Sequence, residues 1–388
     1  MPSGKKYLIL SEPCSLKNLE EFYIYHRNRD ELYEVNQEAF DFLKLCDGTG
    51  KREDLGGDKK FLKYCLREEL LTLLEKPVKK KIILSQTSKP SLRYLELQIT
   101  DKCNLKCRHC YVGKPRNQEI DLKKIFDICE QFESLQGLRM IISGGEPLLH
   151  SGFWELNDRL SCYQFRSILL SNGLLLTSEV AKRLKVQEVQ ISIDGIKDSH
   201  DMLRGKGSFR AAMKGAQNIL KAGIDLSIAT MIHPYNLDDF DRMESLFKGM
   251  GVKDWSVDYP AFTGNLEKNQ KFFLQPEKAG KFLSYGFGAG LYESTGDFTC
   301  GSHLCAITPD GEVCKCSFFI DQPIGNVYNN KLLSCWKKLK HLKLEDLNCR
   351  SCKYLKECKG GCRFRAYLEG DPLGADSVRC AAFGVKRG

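Results

Sequence analysis

Residues 103–110 read "CNLKCRHC", three cysteines spaced C-x3-C-x2-C, between the apolar run "RYLELQI" (93–99) and the stretch "YVGKPRN" (111–117). A [4Fe-4S] cube ordinarily takes four thiolates, one per iron, so three leave one iron open to a substrate or cofactor. A structural zinc completed by a distant fourth ligand or by His109 would instead be closed and tetrahedral. The surrounding pattern chooses between them.

From Leu92 to about Pro260, apolar runs with strand character, "RYLELQI", "LRMIISG", "FRSILLS", "EVQISID", "DLSIATMI" and "DWSVDYP", alternate with helical stretches such as "DLKKIFDICEQFESL" and "SFRAAMKGAQNILKAG". Six β/α units of this kind predict an α/β fold, a parallel sheet curled into a partial (β/α)6 TIM-like barrel with its chemistry at the carboxyl ends of the strands. The cysteine cluster lies just past the first strand, where such a barrel keeps its site.

Residues 1–76 predict a separate winged-helix-like domain. They hold strands "YLILS" and "FYIYHR", a helix from Asn36 through "NQEAFDFLKLCDGTG" with an Asn cap and terminal Gly48, and a second helical stretch "KKFLKYCLREELLTLLEK". Residues 77–91, with Pro77, Pro90 and the run Lys79–Lys81, predict a linker holding at most one strand. The barrel is expected over 92–285. The remainder, 286–388, is cysteine-rich: nine cysteines lie between Cys300 and Cys362, with Cys380 beyond. Its main run, "CRSCKYLKECKGGC", has the spacing C-x2-C-x5-C-x3-C at Cys349, Cys352, Cys358 and Cys362, and "CGSHLCAITPDGEVCKC" lies upstream. Little hydrophobic periodicity remains there, which predicts a loop-rich segment pinned by metal.

Composition bounds the class. Among 388 residues 42% are hydrophobic, enough for a well-buried core, and the only early apolar run is short and broken by Glu12 and Pro13. Neither a signal peptide nor a membrane span is expected, and the compartment expected is the cytoplasm. Eighteen cysteines in a reducing compartment point to metal or clusters rather than disulfides. A formal charge of +9 from scattered lysines reads as a solvated basic surface. Cys14, Cys46, Cys65, Cys129, Cys162 and Cys335 are scattered and read as ordinary thiols.

The cysteine triplet after a barrel's first strand, with Tyr111 following, resembles the radical S-adenosylmethionine (radical SAM) superfamily. "SGGEPLL" (143–149) is similar to that family's glycine-rich stretch, "SNG" supplies Asn172, "SIDG" supplies Ser192 and Asp194, and "HDMLRGKGSF" supplies Arg204. The resemblance implies that Cys103, Cys107 and Cys110 hold a [4Fe-4S] cluster whose open iron takes SAM. It also implies that Tyr111, Gly144, Gly145, Glu146, Asn172, Ser192, Asp194 and Arg204 contact SAM, with Glu146 near its amino group and Arg204 paired with its carboxylate. The implied chemistry is reductive cleavage of SAM to methionine and a 5′-deoxyadenosyl radical that abstracts hydrogen from an unactivated C–H bond.

The last segment resembles the SPASM extension of radical SAM enzymes, which carries two auxiliary [4Fe-4S] clusters, three clusters in all. The resemblance implies Cys300, Cys305, Cys316 and Cys362 for one and Cys349, Cys352, Cys358 and Cys380 for the other, with Cys314 a competitor for the first set. Two zinc ribbons are the alternative. In SPASM enzymes that oxidise sulfatase cysteine or serine, an aspartate follows the cysteine aligned with Cys316. Ser317 stands there in this chain, so no general base is assigned.

The first domain resembles a PqqD-like recognition element, which takes a precursor's leader as an extra strand on its sheet edge. Its helix "NQEAFDFLKLCD" is poor in Arg and Lys for a DNA-reading helix, so nucleic acid is not the expected partner. Together these imply a maturase of ribosomally made peptides, served by a flavodoxin- or ferredoxin-type reductant, that forms thioether or carbon–carbon crosslinks or decarboxylates oxidatively. Two rivals follow from the same residues. "GGCRFRAYLEGD" also resembles SPASM enzymes of haem biosynthesis that oxidise tetrapyrrole side chains, and a winged-helix regulator with zinc ribbons would bind DNA with steep salt dependence.

Overall fold

The computed structural model describes residues 6–85, 87–292 and 295–385. The chain begins with β1 (Tyr7–Leu10), β2 (Cys14–Asn18), β3 (Phe22–His26), β4 (Glu31–Val35), α1 (Gln37–Leu45), β5 (Asp47–Lys51), α2 (Lys59–Arg67) and β6 (Leu71–Leu74). These strands form two small antiparallel sheets, in the orders β5-β1-β6 and β2-β3-β4. Both helices start where the sequence provides an oxygen for an unpaired amide: Asn36 accepts from Ala39 N and Asp58 from Phe61 N. A common core of Leu8, Leu10, Ile24, Phe40, Leu43 and Leu62 lies between sheets and helices.

Two sequence expectations change here. The stretch expected to be one helix through Lys76 stops at Arg67, because Glu69 takes a positive φ of 58° and "LTLL" then pairs with β1. The linker at 77–91 contains no strand among its described residues. Its backbone instead follows β5, Lys80 N donating to Asp47 O at 2.7 Å, while Lys80 Nζ donates to the carbonyls of Ser11 and Cys14.

The six expected barrel strands are all present: β7 (Tyr94–Thr100), β8 (Arg139–Gly144), β9 (Arg166–Ser171), β10 (Glu188–Ser192), β11 (Asp225–Met231) and β12 (Asp254–Asp258). Between them lie α3 (Leu122–Ser134), α4 (Phe153–Leu160), α5 (Ser178–Arg183), α6 (Asp198–Arg204), α7 (Ser208–Lys221) and α8 (Phe240–Met250). Neighbours pair in parallel and in chain order. The sheet does not end at β7, however. Near the carboxyl end of the chain, β13 (Leu304–Ile307) lies parallel to β7, Leu304 opposite Tyr94, and continues as a meander through β14 (Glu312–Cys314) and β15 (Gly325–Asn326). The segment expected to be loop-rich therefore shares the barrel's sheet. No helix among the described residues is long and apolar enough to cross a membrane.

The first module packs under the barrel, at the amino ends of its strands. Asp30 pairs with Arg139 at the start of β8 and approaches Arg166 at the start of β9, and Tyr25 Oη donates to Asp30 at 2.7 Å. Lys17 is 2% exposed and donates to Gly137 O at 2.9 Å with no carboxylate bonded to it. Burial pushes its ammonium down to about 7. The folded chain thus binds this proton less well than the unfolded chain, and stability rises with pH from about 7 toward the ordinary lysine range. Lys17→Met is expected to flatten that rise and to stabilise the protein at pH 7 by about 1 kcal/mol, read by chemical denaturation across pH.

Candidate functional site

The carboxyl ends of the strands open into a cavity of about 1180 Å³ that extends from the loop after β7 to the cysteine-rich segment. The loop is tied at both ends. Asp101 accepts from Arg116 N and Gln118 N, each at 2.8 Å, and Thr100 Oγ1 accepts from Lys102 N. From the far side Asn265 N donates to Cys110 O at 2.9 Å and Asn265 Nδ2 to Cys107 O at 3.0 Å. Cys103, Cys107 and Cys110 all stand on the cavity wall.

Gly144 and Gly145 bring the end of β8 against this loop, backbone to backbone. Gly145 N donates to Thr100 O and Glu146 N to Lys102 O, both at 2.8 Å. A Cβ on Gly144, whose φ is +141°, would sit 2.1 Å from Thr100 O, and one on Gly145 would sit 2.4 Å from Lys102 O. No side chain fits there without parting the strand end from the cysteine loop.

Of the other expected SAM-contacting residues, Tyr111, Asn172, Ser192 and Arg204 reach the wall, while Glu146 and Asp194 stand behind it with no exposed surface. Glu146 accepts from Asn172 N at 2.9 Å and from Ser171 Oγ at 3.0 Å, and burial pushes its carboxyl up to about 7. It holds Asn172, whose Nδ2 lies 4.0 Å from Cys103 Sγ and donates to Asn104 Oδ1 at 2.7 Å. Asp194 pairs with Arg204 Nε and accepts from Met231 N at 2.8 Å. Burial raises its carboxyl, yet Arg204 beside it holds it well below the usual carboxylate range. Arg204 Nη1 in turn lies 4.0 Å from Cys107 Sγ. Glu146 and Asp194, both expected to touch the cofactor, are buried behind the wall in this structure, where each holds another residue, Asn172 and Arg204, beside the cysteine loop.

The residues present fit an iron–sulfur group. The three thiols of the loop share the cavity wall at the strand ends, an amide and a guanidinium stand at 4.0 Å from two of them, and Leu105 N lies 3.5 Å from Cys103 Sγ. These are groups that stabilise thiolates, and without a bound group burial pushes the Cys107 thiol up to about 11. Among the described residues no three His, Cys, Asp or Glu side chains converge on a single ion.

The carboxyl-terminal cysteines separate into three groups. Cys300, Cys316 and Cys362 line the same cavity as Lys315, close enough for electrostatic coupling among them. Cys349, Cys352 and Cys358 pack together on Leu344, Leu347 and Leu355, and the Tyr354–Phe383 ring contact at 5.1 Å brings the helix carrying Cys380 alongside. Cys305 belongs to neither group. It lies on β13, where Leu304 faces the cavity, so the pleat turns Cys305 to the opposite face, into the apolar core beside Cys335 and Cys314. Burial pushes its thiol far up. The four-cysteine set expected around Cys300 is thus three cysteines in the structure.

One wall group lies outside the expected set. Glu96, on β7, is 5% exposed and has no cation bonded to it; Ser143 Oγ donates to it at 2.8 Å and Tyr292 Oη at 3.4 Å. Burial raises its carboxyl above the usual range. A lone glutamate in a strand that is otherwise "LxLQI" was the available signal. The neighbouring Tyr111 accepts from Gln98 Nε2 at 3.0 Å and packs against Phe318, with ring centroids 5.0 Å apart, which draws the cysteine-rich segment over the barrel mouth.

Residues 97–247 match the Radical SAM superfamily. The chain is a radical SAM enzyme. It is similar to the mycofactocin maturase MftC of Mycolicibacterium smegmatis, 28% identical over 326 residues that cover 74% of this chain and 82% of that one. It is also similar to the AdoMet-dependent heme synthase of Nitratidesulfovibrio vulgaris, 25% identical over 340 residues, 74% of this chain and 92% of that one. In fold it resembles Streptococcus suis SuiB in a crystal structure with its precursor peptide SuiA, with a TM-score of 0.70 at 16% identity over 96% of this chain and 99% of SuiB. That coverage is too complete to leave out the first module. Structures of anSMEcpe with AdoMet and a peptide are matched over 76% of this chain and 95% of that one, with a TM-score of 0.60 at 19% identity.

Proposed function

We propose that this chain is a maturase that binds the leader of a ribosomally made precursor peptide and modifies its core. One observation carries the reading: a small two-sheet module, with the half-exposed strand β4 (Glu31–Val35) at a sheet edge, precedes and packs on a radical SAM barrel. MftC is named a maturase and SuiB has been seen with a precursor peptide, which supports the same reading. In it residues 1–76 recognise the leader by strand addition, 77–91 link, 92–285 form the barrel and 286–388 a SPASM domain. The protein works in the cytoplasm.

In this reading Cys103, Cys107 and Cys110 hold a [4Fe-4S] cluster, and Cys349, Cys352, Cys358 and Cys380 hold an auxiliary one. Cys300, Cys316 and Cys362 hold the other. The bound cluster and SAM supply a 5′-deoxyadenosyl radical for hydrogen abstraction. The chain's own residues orient and enclose. Asn172, set by Glu146, and Arg204, set by Asp194, present a donor amide and a cation beside the thiols, while Ser192, Tyr111 and the Gly144–Gly145 backbone complete the wall. Tyr111 and Phe318 close the cavity between the barrel and the cysteine-rich segment and keep water from the reacting atoms.

The test is anaerobic reconstitution with SAM, dithionite and a candidate precursor peptide with its leader, sought among small open reading frames near this gene. The peptide is expected to lose mass by the hydrogens removed in a crosslink, or by carbon dioxide and hydrogen, and a leaderless peptide is expected to react at least about tenfold more slowly at low concentration. The heme synthase relatives favour a second reading, oxidation of a tetrapyrrole side chain. An unchanged peptide together with a turned-over porphyrin would establish it instead.

A further inference from the structure

Among the described residues four carboxylates stand on the cavity wall, and three of them are already engaged or exposed. Asp101 accepts from the amides of Arg116 and Gln118, Asp258 pairs with Arg365 at 2.8 Å, and Glu357 is exposed. Glu96 differs from all three. It is 5% exposed, and among the described residues neither a cation nor a backbone amide is bonded to its carboxyl. Hydroxyls hold it instead: Ser143 Oγ at 2.8 Å, Tyr292 Oη at 3.4 Å, and the hydroxyl of Ser317. A hydroxyl donates or accepts by rotating, so these partners suit the carboxyl with its proton and without it, as an arginine would not.

Its partners place it between the two cysteine walls. Ser143 directly precedes the Gly144–Gly145 pair that presses on the loop of Cys103, Cys107 and Cys110, and Ser317 directly follows Cys316. Tyr111, Tyr292 and Cys316 lie close enough for electrostatic coupling with Glu96, and none of them is a cation. Burial raises its carboxyl above the usual range while the hydroxyls draw it back, a balance that suits a group taking a proton near neutral pH.

Resting on the maturase reading, we propose that Glu96 is a catalytic residue: its carboxylate accepts the proton that the core peptide loses when its new bond closes. The balance of the reaction needs such a group. Hydrogen abstraction leaves a carbon radical on the peptide. Closing the crosslink forms one bond from that carbon to a second atom, sulfur or carbon, and breaks the second atom's bond to hydrogen. One electron and one proton leave. The electron passes to the iron–sulfur centre held by Cys300, Cys316 and Cys362, and the proton to Glu96 on the same cavity wall.

The test uses full-length reconstituted enzyme with SAM, dithionite and the candidate precursor peptide, its core residues deuterated. In Glu96→Gln, which keeps the shape of the carboxyl but takes no proton, 5′-deoxyadenosine should still carry deuterium from the peptide while crosslinked product falls by at least about a hundredfold. Iron content and peptide affinity should match the parent. Glu96→Asp, which keeps a carboxylate, is expected to restore part of the product, and Tyr292→Phe, which removes one donor, to cost less than Glu96→Gln. Crosslinking at the parental rate in Glu96→Gln would overturn the proposal. So would loss of deuterium transfer together with peptide affinity, which would make Glu96 a group that seats the peptide. A parent enzyme that neither labels the nucleoside nor changes the peptide defeats the maturase reading and this proposal with it, and that result is read on the parent alone.

Discussion

Replacing Cys103, Cys107 and Cys110 together by Ala is expected to abolish 5′-deoxyadenosine formation and to remove about four irons per chain, leaving the remaining iron in place. Iron and sulfide analysis after anaerobic reconstitution, beside nucleoside chromatography, checks both. The fold should survive, because all three side chains are partly open to the cavity and the loop's backbone is held by Asp101, Thr100 and Asn265 rather than by sulfur. Cys129→Ala is the matching control: that thiol is buried in the barrel core against Met140 and far from the wall, so iron and nucleoside should match the parent. Loss of all iron from the triple variant would mean that the loop is needed for folding of the whole. Undiminished iron would remove the basis for reading these thiols as ligands.

That prediction rests on residues readable in the chain alone, and the reason is local. A cysteine triplet directly after an apolar strand has its place fixed by the strand, and the order of strand ends around a parallel barrel follows chain order. Asn172, Ser192 and Arg204, read from the strand ends, therefore stand on the cavity wall. What the chain did not reveal is which atoms face the cavity. Glu146 and Asp194 follow strands as their partners do, but each is turned to accept backbone amides and is buried by the next strand's end. The first module's small sheets were half-read for a different reason: their strands are four or five residues long, and "CSLKN" and "ELYEV" have too little alternation to stand out from turns. The linker's attachment to β5 and the module's seat under the barrel depend on lone carbonyls and on Lys17, Arg27 and Asp30, long-range pairings that no local pattern announces.

The second large expectation concerns the residue where pattern and structure part. By the family resemblance Cys305 belongs with Cys300, Cys316 and Cys362; by register it stands apart from them, because β13 pairs with β7 and alternates, with Leu304 to the cavity and Cys305 to the core. The missed signal was the hairpin "LCAITPDGEVC", an apolar run, a Pro-Asp-Gly turn and a second short strand, overlooked because its cysteines invited a metal reading. The two readings predict opposite results. Cys305→Ala should leave the iron content of the reconstituted protein unchanged and cost about 1 kcal/mol from a small void beside Cys335 and Ile307. Cys316→Ala should lower iron by as much as one whole cluster, with the electronic spectrum of one auxiliary centre lost. If Cys305→Ala instead lowers iron as Cys316→Ala does, β13 must leave the sheet when iron binds, and its parallel pairing with β7, which sets Cys305 opposite Leu95, must break to let the thiol turn. Hydrogen exchange of the β13 amides, with and without iron, would show that directly: continued protection in the iron-loaded protein keeps Cys305 in the core and leaves the centre at Cys300 with three protein thiolates.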